Sequence, residues 1–227
     1  MKRERPAASE RALVIMAKAA RRDHVKTRLA GSLSADEVIE LYKCLVEDTV
    51  QLTRSVTADS LAIVCPSSDV SDLSAWLPEI EIVAQEGEGL AAALVSAFRV
   101  FIGRGYRRVV ALDGDSPQIP RDTLEQAFRL LNNADVVLGP TIDGGYYLVG
   151  ATALRAELFD HHRMGTGGAL DSLLANARTL NLTTALTEPA YDVDEKSDLA
   201  RLAQELDTFP SRAPRTARWL AQRKFRG

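Results

Sequence analysis

Short apolar runs recur along the chain, and a turn residue or a charge closes each of them. A continuous apolar run of about 4–8 residues bounded by turn signals is typical of a strand buried in a parallel sheet. The pattern predicts strands at Ala12–Ala17, Leu61–Cys65, Ile80–Ala84, Val109–Leu112, Ala134–Leu138, Tyr146–Val149 and Leu182–Leu186.

Between these runs the apolar residues follow a helical period. The clearest helix begins at Ser34, where Glu37 completes a capping box, and its apolar face runs from Val38 to Val56. Further helices are predicted near 70–77, 90–102, 120–131, 153–158, 168–178 and 195–206. Alternating strands and helices predict a single three-layer α/β/α domain with a mostly parallel mixed sheet over 12–208. We expect a flexible N-terminus at 1–11 and a basic C-terminal extension at 209–227.

Charge and composition narrow the range of partners. The net charge of −3 gives no overall reason to expect nucleic acid. The basic residues of the C-terminal extension could bind nucleic acid or anionic lipid, but we favour a solvated helix end that contacts acidic surface of its own domain. These residues are Arg212, Arg215, Arg218, Arg223, Lys224 and Arg226. Oligomeric state leaves no signature in the sequence.

The sequence predicts no membrane partner and a cytoplasmic location. No apolar run approaches the roughly 20 residues needed to cross a bilayer, and Ala12–Ala17 is too short for a signal-peptide core. Cys44 and Cys65 are too few for a disulfide framework, and we expect both to be packing residues in a reducing compartment.

The strand Val109–Leu112 ends in two carboxylates, Asp113 and Asp115, separated by one glycine. Ligands of open α/β sheets bind at the carboxyl ends of the strands, and Mg²⁺ is commonly held there by one or two carboxylates and substrate phosphates. One hypothesis is therefore a metal–phosphate site. The alternative is an acidic turn whose aspartates bond only nearby backbone N–H groups.

The loop after the first strand is rich in cations, namely Lys18, Arg21, Arg22, Lys26 and Arg28. The chain lacks the glycine fingerprints of a Rossmann dehydrogenase and of a P-loop kinase, so positive side chains would have to bind phosphate instead. The alternative is a solvated basic loop.

Three further segments are candidates for the site. The loop Gln85–Gly89 carries two glycines that permit close approach to a flat ligand, or it simply leads into a helix. Asp143-Gly144-Gly145 is either a tight turn or an acceptor-binding element. Asp192 and Asp194 share a strand face, where one could complete a metal site or Asp194 could cap the following helix. We interpret His24, His161 and His162 as structural.

Five motifs occur in a distinctive order: AK…VKTRL, Q-x-G-x-G-L, DGDSP-x-x-P, GP-x-x-DGGYYLVG and DVD-x-x-x-DL. In this order, over about residues 12–206, the chain resembles bacterial glycosyltransferase-A-fold, nucleotide-diphospho-sugar-transferase-like proteins. Some of these carry the label arsenosugar-biosynthesis glycosyltransferase. More distantly, the chain is similar to 2-phospholactate and molybdenum-cofactor guanylyltransferases. It departs from the family at Ala20–His24, where relatives commonly have a Pro-Gly pair.

The resemblance implies a nucleotide half, a divalent metal (Mg²⁺ or Mn²⁺) and an acceptor half. It implies that Asp115 holds the metal. From the residues themselves we expect catalytic roles for Lys18, Lys26 and Asp115, and we expect Asp113 or Asp194 to help Asp115 to bind the metal; relatives often have a small residue in place of Asp113. The nucleotide would contact Ala17, Lys18, Lys26, Arg28, Gln85, Gly87, Gly89 and Asp113. The small-molecule acceptor would contact Asp143, Gly144, Gly145 and Asp192.

Three functions follow as hypotheses. The leading one is metal-dependent nucleotidyl transfer from an NTP to a phosphate-, phosphonate- or carboxylate-bearing acceptor, because the concentration of cations suits a triphosphate. The second is glycosyl transfer from a nucleotide-sugar. The third is an inactive nucleotide-binding protein.

Overall fold

The computed structural model describes residues 10–160 and 168–223. The part of the predicted flexible N-terminus at residues 1–9, the structural roles of His161 and His162, and the basic residues Lys224 and Arg226 lie outside that range. The prediction is wrong at Arg11, which begins the first strand. The described strands are β1 (Arg11–Met16), β2 (Ser60–Cys65), β3 (Glu81–Ala84), β4 (Arg108–Asp113), β5 (Val136–Pro140), β6 (Tyr146–Ala151) and β7 (Thr184–Leu186). Every predicted strand is present, and the bounds differ by a few residues.

The described α-helices are α1 (Ala35–Arg54), α2 (Val70–Trp76), α3 (Gly89–Gly103), α4 (Arg121–Leu130), α5 (Ala169–Thr179), α6 (Lys196–Thr208) and α7 (Pro214–Gln222). Helices α1 to α6 lie where the apolar period predicts them, whereas α7, which packs within the predicted C-terminal extension, was not predicted. The Ser34–Glu37 capping box is formed at the start of α1. The predicted α-helix at 153–158 is wrong, since Ala156–Phe159 forms a short 3-10 helix. A second 3-10 helix, Thr27–Gly31, lies within the cationic loop.

The strands described form one seven-stranded sheet in the order β3-β2-β1-β4-β6-β5-β7. Strand β6 runs antiparallel to both of its neighbours, and the other pairings are parallel. Leu13 and Ile15 face a core with side chains of α1, α2 and α4, whereas Ala12 and Val14 face a core with α3 and α5. Because side chains alternate along a strand, each strand serves both cores, which makes the domain three-layered.

Helices α6 and α7 add a smaller cluster on the outer side of α1. Trp219 and Leu220 of α7 are buried in it. Asp48 of α1 is fully buried and accepts hydrogen bonds from Thr216 N (2.8 Å) and Thr216 Oγ1 (2.9 Å) at the start of α7. The favoured interpretation of the basic extension is confirmed for three arginines, which pair with acids of the same domain: Arg212–Glu205, Arg215–Glu47 and Arg223–Glu40.

The ends of β1 and β4 approach each other closely at Gly114. The Gly114 N–H donates to Met16 O at 2.9 Å, and a Cβ added at Gly114 would lie 2.8 Å from that oxygen and 2.9 Å from Ala17 Cβ. Only glycine fits this position without a backbone shift. The contact sets the position of Asp113 and Asp115 relative to the loop that follows β1.

A buried aspartate fastens that loop at its other side. Asp69, which is 0% exposed, accepts from Ala19 N at 2.8 Å and from Arg21 at 3.0 Å, and His24 Nε2 lies 3.4 Å from it. Burial alone would raise the pKa of Asp69, but the hydrogen bonds from Ala19 and Ser68 and the charge of Arg21 lower it below its usual value.

Replacing Gly114 with Ala should lower the free energy of unfolding by about 1–3 kcal/mol, because the new methyl group collides with backbone. Urea denaturation measures the change. Gly103→Ala is the matched control, since a Cβ there has nothing within 4 Å. Equal stability of the two variants would contradict the close approach of β1 and β4.

Replacing Asp69 with Asn should destabilise the protein at pH 7 by about 1–3 kcal/mol, because the buried network loses its negative charge and one of its two acceptor oxygens. The lowered pKa means that the Asp69 charge stabilises the fold above about pH 4 and that this contribution is lost as pH falls through the folded-state pKa. The stability difference from wild type, measured by urea denaturation, should therefore shrink below about pH 4. Asp72→Asn, at a 53% exposed partner of Arg21, should cost less at pH 7. A loss that is the same at pH 3 and pH 7 would refute the role of the charge.

Candidate nucleotide and metal site

A cavity of about 860 Å³ opens at the carboxyl ends of β1 to β4. Strand β1 lies between β2 and β4, so the strand order reverses direction at β1. Ligands of such sheets usually bind at the carboxyl ends of the strands at this point. The volume falls within the range of about 300–1,000 Å³ that is typical of small-molecule sites. Three groups of predicted residues line it: Ala17, Lys18 and Lys26; Gln85, Gly87 and Gly89; and Asp113, Asp115 and Asp194.

Lys26 forms the central contact of the site. Its ammonium lies 2.8 Å from Asp115 Oδ2 and 3.0 Å from Asp194 Oδ1, and its side chain is only 6% exposed. Burial alone would lower the pKa of Lys26, but the two carboxylates raise it above its ordinary value. The charged ammonium therefore joins the end of β4 to the segment before α6.

Four carboxylates gather around this one buried cation. Asp113 and Asp192 lie close to Asp115 and Asp194, and burial followed by the charge of Asp115 raises the pKa of Asp113 well above its usual value. Burial is also the main cause that raises the pKa of Asp192 to about 7. Asp192 Oδ1 is buried and has no hydrogen-bond partner among the described residues. The cluster holds more negative charge than Lys26 can balance, which favours a further cation or a proton.

Asp194 is free to point at Lys26 because its neighbours cap the helix. The possibility that Asp194 caps the following helix is wrong: Glu195 is the N-cap residue of α6, and Asp198 accepts from the backbone of Asp194 (3.0 Å) and Glu195 (2.7 Å). Gln118 Nε2 donates to Tyr191 O at 2.8 Å, which fastens the Asp192 segment to the turn after Asp115. Neither role of Asp198 or Gln118 was predicted.

The remaining cations of the first loop divide into two groups. Arg21 and Arg22 pair with Asp72 and Asp36, so they fasten the loop to α2 and α1 rather than facing the cavity. Lys18 is exposed, lines the cavity and forms no salt bridge within the described part of the chain. Arg28 is 67% exposed, lies outside the cavity lining and contacts Asp194 at 3.4 Å.

The glycine loop that closes the far side of the cavity is shaped by Gln85. Its Nε2 donates to Gly87 O at 2.8 Å, so its side chain holds the loop. Gly87 and Gly89 both have φ +82°, a backbone conformation that other residues rarely adopt. Gln85 is the residue that positions this loop, and binding of a flat ligand there stays a prediction.

The predicted acceptor residues lie beside the cavity lining. Asp143 Oδ1 accepts from Gly145 N at 3.1 Å and from the Thr141 hydroxyl, which stabilises the turn between β5 and β6. These contacts are those of the tight turn that the sequence also predicted. Gly144 has φ +88°, and Gly145 leaves no room for a Cβ against Thr141 Oγ1.

Tyr42 and His24 are among the cavity residues that were not predicted as part of the site. The Tyr42 hydroxyl accepts from Lys18 N at 3.0 Å and lies 3.2 Å from Lys18 O, so it fixes the backbone of Lys18. His24 also lines the cavity, although it was interpreted as structural. Tyr42 belongs to the apolar stripe of α1, and a residue there is indistinguishable from core in the sequence.

Two features of the described residues bear on metals and membranes. In residues 10–160 and 168–223, no group of three His, Cys, Asp or Glu side chains is arranged to hold a metal ion. The same residues contain no helix long and apolar enough to cross a membrane.

One curated relative is the 2-phospho-L-lactate guanylyltransferase of Methanocaldococcus jannaschii, which is 24% identical over 125 residues. The match covers 55% of this chain and 53% of that protein, so it spans about half the length of the relative.

Solved structures share the fold over most of their length. A candidate nucleotide-diphospho-sugar transferase from Desulfovibrio desulfuricans is 28% identical with a TM-score of 0.87, over 95% of this chain and 96% of that one. A nucleotidyl transferase from Methanothermobacter has 19% identity and a TM-score of 0.59, over 89% and 100% of the two chains. A Mycobacterium tuberculosis protein in complex with manganese has 18% identity and a TM-score of 0.56, over 87% and 100%.

These comparisons confirm the predicted fold, a single α/β domain of the nucleotide-diphospho-sugar-transferase type. The family described as "Uncharacterized protein conserved in bacteria" (DUF2064) matches residues 49–166, which is more than half of the chain. The chain therefore belongs to this family.

Proposed function

We propose that the protein is a metal-dependent nucleotidyltransferase. It would transfer a nucleotide from an NTP to a small acceptor that carries a phosphate, phosphonate or carboxylate, with release of pyrophosphate. The observation that carries the proposal is the single cavity into which the first loop brings Lys18 and Lys26 opposite Asp113 and Asp115. Cations and carboxylates at one strand-end cavity suit a polyphosphate held together with a divalent metal.

The nucleotide would lie along the cavity from the first loop to the glycine loop. Lys18 lines the cavity there without a salt bridge to any described residue, and its backbone is fixed by Tyr42. The left-handed glycines Gly87 and Gly89 expose backbone to a flat base. Phosphoryl chemistry needs mainly positioning and charge neutralisation, and both are properties of this arrangement.

The donor set fits a hard divalent cation such as Mg²⁺ or Mn²⁺. Asp115 and Asp194 already flank one cation, and their oxygens are the ligands that these ions prefer. Asp113 would be a third ligand or a neighbour. The metal, when bound, would neutralise phosphate charge. The manganese complex of the Mycobacterium tuberculosis protein with the same fold supports a role for such an ion.

The acceptor would enter beside Asp143 and Asp192, where Arg28 is exposed. An anionic oxygen of the acceptor attacks the α-phosphorus, and the bond from that phosphorus to the bridging oxygen breaks. Pyrophosphate leaves with the electron pair. Because the attacking oxygen is already ionised, the step needs no general base, and none of the four aspartates has to accept a proton.

Glycosyl transfer is the second candidate function. The 28% identical structure from Desulfovibrio desulfuricans, described as a candidate nucleotide-diphospho-sugar transferase, favours it. The same cavity residues would then hold a diphosphate, and a sugar acceptor would lie at Asp143. The two reactions differ in their products: the first releases pyrophosphate and the second a nucleoside diphosphate.

A ligand screen followed by product analysis tests the proposal. An NTP at 100 times its Kd should stabilise the protein by about 2.7 kcal/mol, seen as a higher melting temperature in the presence of Mg²⁺ or Mn²⁺. Incubation of that NTP with 2-phospho-L-lactate and other phosphate, phosphonate and carboxylate acceptors should release pyrophosphate. Release of a nucleoside diphosphate from a nucleotide-sugar would favour glycosyl transfer, and the absence of any thermal shift would reject both reactions.

Asp115→Asn should keep the fold and lose the metal-dependent part of the nucleotide shift, because it removes a carboxylate ligand. Asp36→Asn, at a 73% exposed acid of α1, is the control and should keep the full shift. An unchanged metal-dependent shift in Asp115→Asn would remove Asp115 from the site.

A further inference from the structure

Lys26 lies in the position that the proposed metal would need. One buried ammonium contacts both Asp115 (2.8 Å) and Asp194 (3.0 Å). A magnesium ion binds carboxylate oxygens at about 2.0–2.1 Å, so a metal ion in place of the ammonium would need Asp115 to approach by about 0.7 Å and Asp194 by about 0.9 Å. The ammonium keeps them at hydrogen-bond distance, which agrees with the lack of a metal-ready group of side chains in the residues described.

An ammonium and a divalent cation cannot share this position, because like charges in a buried site repel strongly. Each of them, however, balances the same carboxylates. Lys26 and a metal ion placed between the two carboxylates are therefore alternatives for the oxygens Asp115 Oδ2 and Asp194 Oδ1.

The backbone at Lys26 is consistent with a contact that can be exchanged. Lys26 has φ 47° and ψ 42°, the left-handed conformation, and Asp23 has φ 57°. Left-handed backbone is unfavourable for residues with a Cβ and persists where the surroundings over-determine it. The ion pairs with Asp115 and Asp194 supply that constraint, so releasing the ammonium also relieves the loop.

The released ammonium has an alternative partner nearby. Lys26 lines the same cavity as Lys18, which forms no salt bridge within the described residues. A triphosphate bound at Lys18 would offer anionic oxygens to Lys26, while its metal ion would replace the ammonium at the two aspartates.

We propose that Lys26 occupies the cation position of Asp115 and Asp194 until a metal–polyphosphate complex displaces it, so that the protein binds the metal–nucleotide complex and not the free metal ion. The nucleotide part of this inference rests on the proposed function. The exclusion of the free metal by Lys26 does not, and it can be tested without a nucleotide.

The test is the affinity of the folded protein for Mn²⁺ alone, measured by the electron paramagnetic resonance signal of free Mn²⁺ during titration. Lys26→Met keeps a side chain of similar length and removes the ammonium. We expect it to bind Mn²⁺ at least tenfold more tightly than wild type. Lys18→Met removes one positive charge from the same cavity without freeing either aspartate, and its Mn²⁺ affinity should stay within twofold of wild type.

The Lys26→Met variant leaves the carboxylates unbalanced and could unfold without metal. The double variant Lys26→Met/Asp192→Asn removes one positive and one negative charge and retains Asp115 and Asp194, so it keeps the test valid. It should show the same gain in Mn²⁺ affinity, and Mn²⁺ should raise its melting temperature more than that of wild type.

Equal Mn²⁺ affinities of wild type and the folded Lys26 variants, whether tight or weak, would overturn the inference. An equal gain in Lys18→Met would overturn it too, because the effect would then come from overall charge. The two proposals fail separately. A nucleotide-induced thermal shift with equal Mn²⁺ affinities would retain the function and reject the exclusion, whereas a gain in Mn²⁺ affinity without any nucleotide shift would do the reverse.

Discussion

The repulsion among carboxylates at the end of β4 is the constraint on which the site depends. Asp113, Asp115, Asp192 and Asp194 converge at one edge of the sheet, and burial makes their mutual repulsion costly. Lys26 is a buried cation that offsets part of this repulsion through its contacts with Asp115 and Asp194. Its backbone is left-handed at the start of the 3-10 helix, so the loop carries this charge on a constrained residue.

The surrounding fold provides the rigid frame that such a cluster requires. Gly114 lets the end of β4 lie against the end of β1, and Asp69 fastens the start of the loop to the region after β2. Gln118 fastens the Asp192 segment to the turn after Asp115. Each of these contacts fixes the position of the backbone and is not itself a proposed contact with the ligand. These contacts hold the aspartates close together although their negative charges repel each other. A bound cation would reduce that repulsion.

The strands and the helix starts that depend on a local sequence pattern were predicted well. Apolar runs identified every described strand, and the Ser34–Glu37 capping box identified the start of α1, because both signals lie within a few neighbouring residues. The 3-10 helix at Ala156–Phe159 was missed because a single turn of that kind has no period of its own. Most of the candidate site residues that the motifs identified also line one cavity. What the sequence could not predict is which of them contact each other.

The contacts of Lys26 illustrate the limit. As an isolated residue in a basic loop it predicts phosphate binding, but its partner Asp194 is 168 positions away along the chain. Asp194 in turn was a candidate helix cap, and only the placement of Glu195 and Asp198 frees it for Lys26. Pairings of this kind depend on the relative position of loops at one sheet edge, which residue type and spacing leave open. The two predicted roles, phosphate binding by Lys26 and metal binding by Asp194, follow one another in the proposed exchange. There, Lys26 leaves Asp115 Oδ2 and Asp194 Oδ1 before a metal ion takes those two oxygens, an order that depends on the folded arrangement and not on residue type.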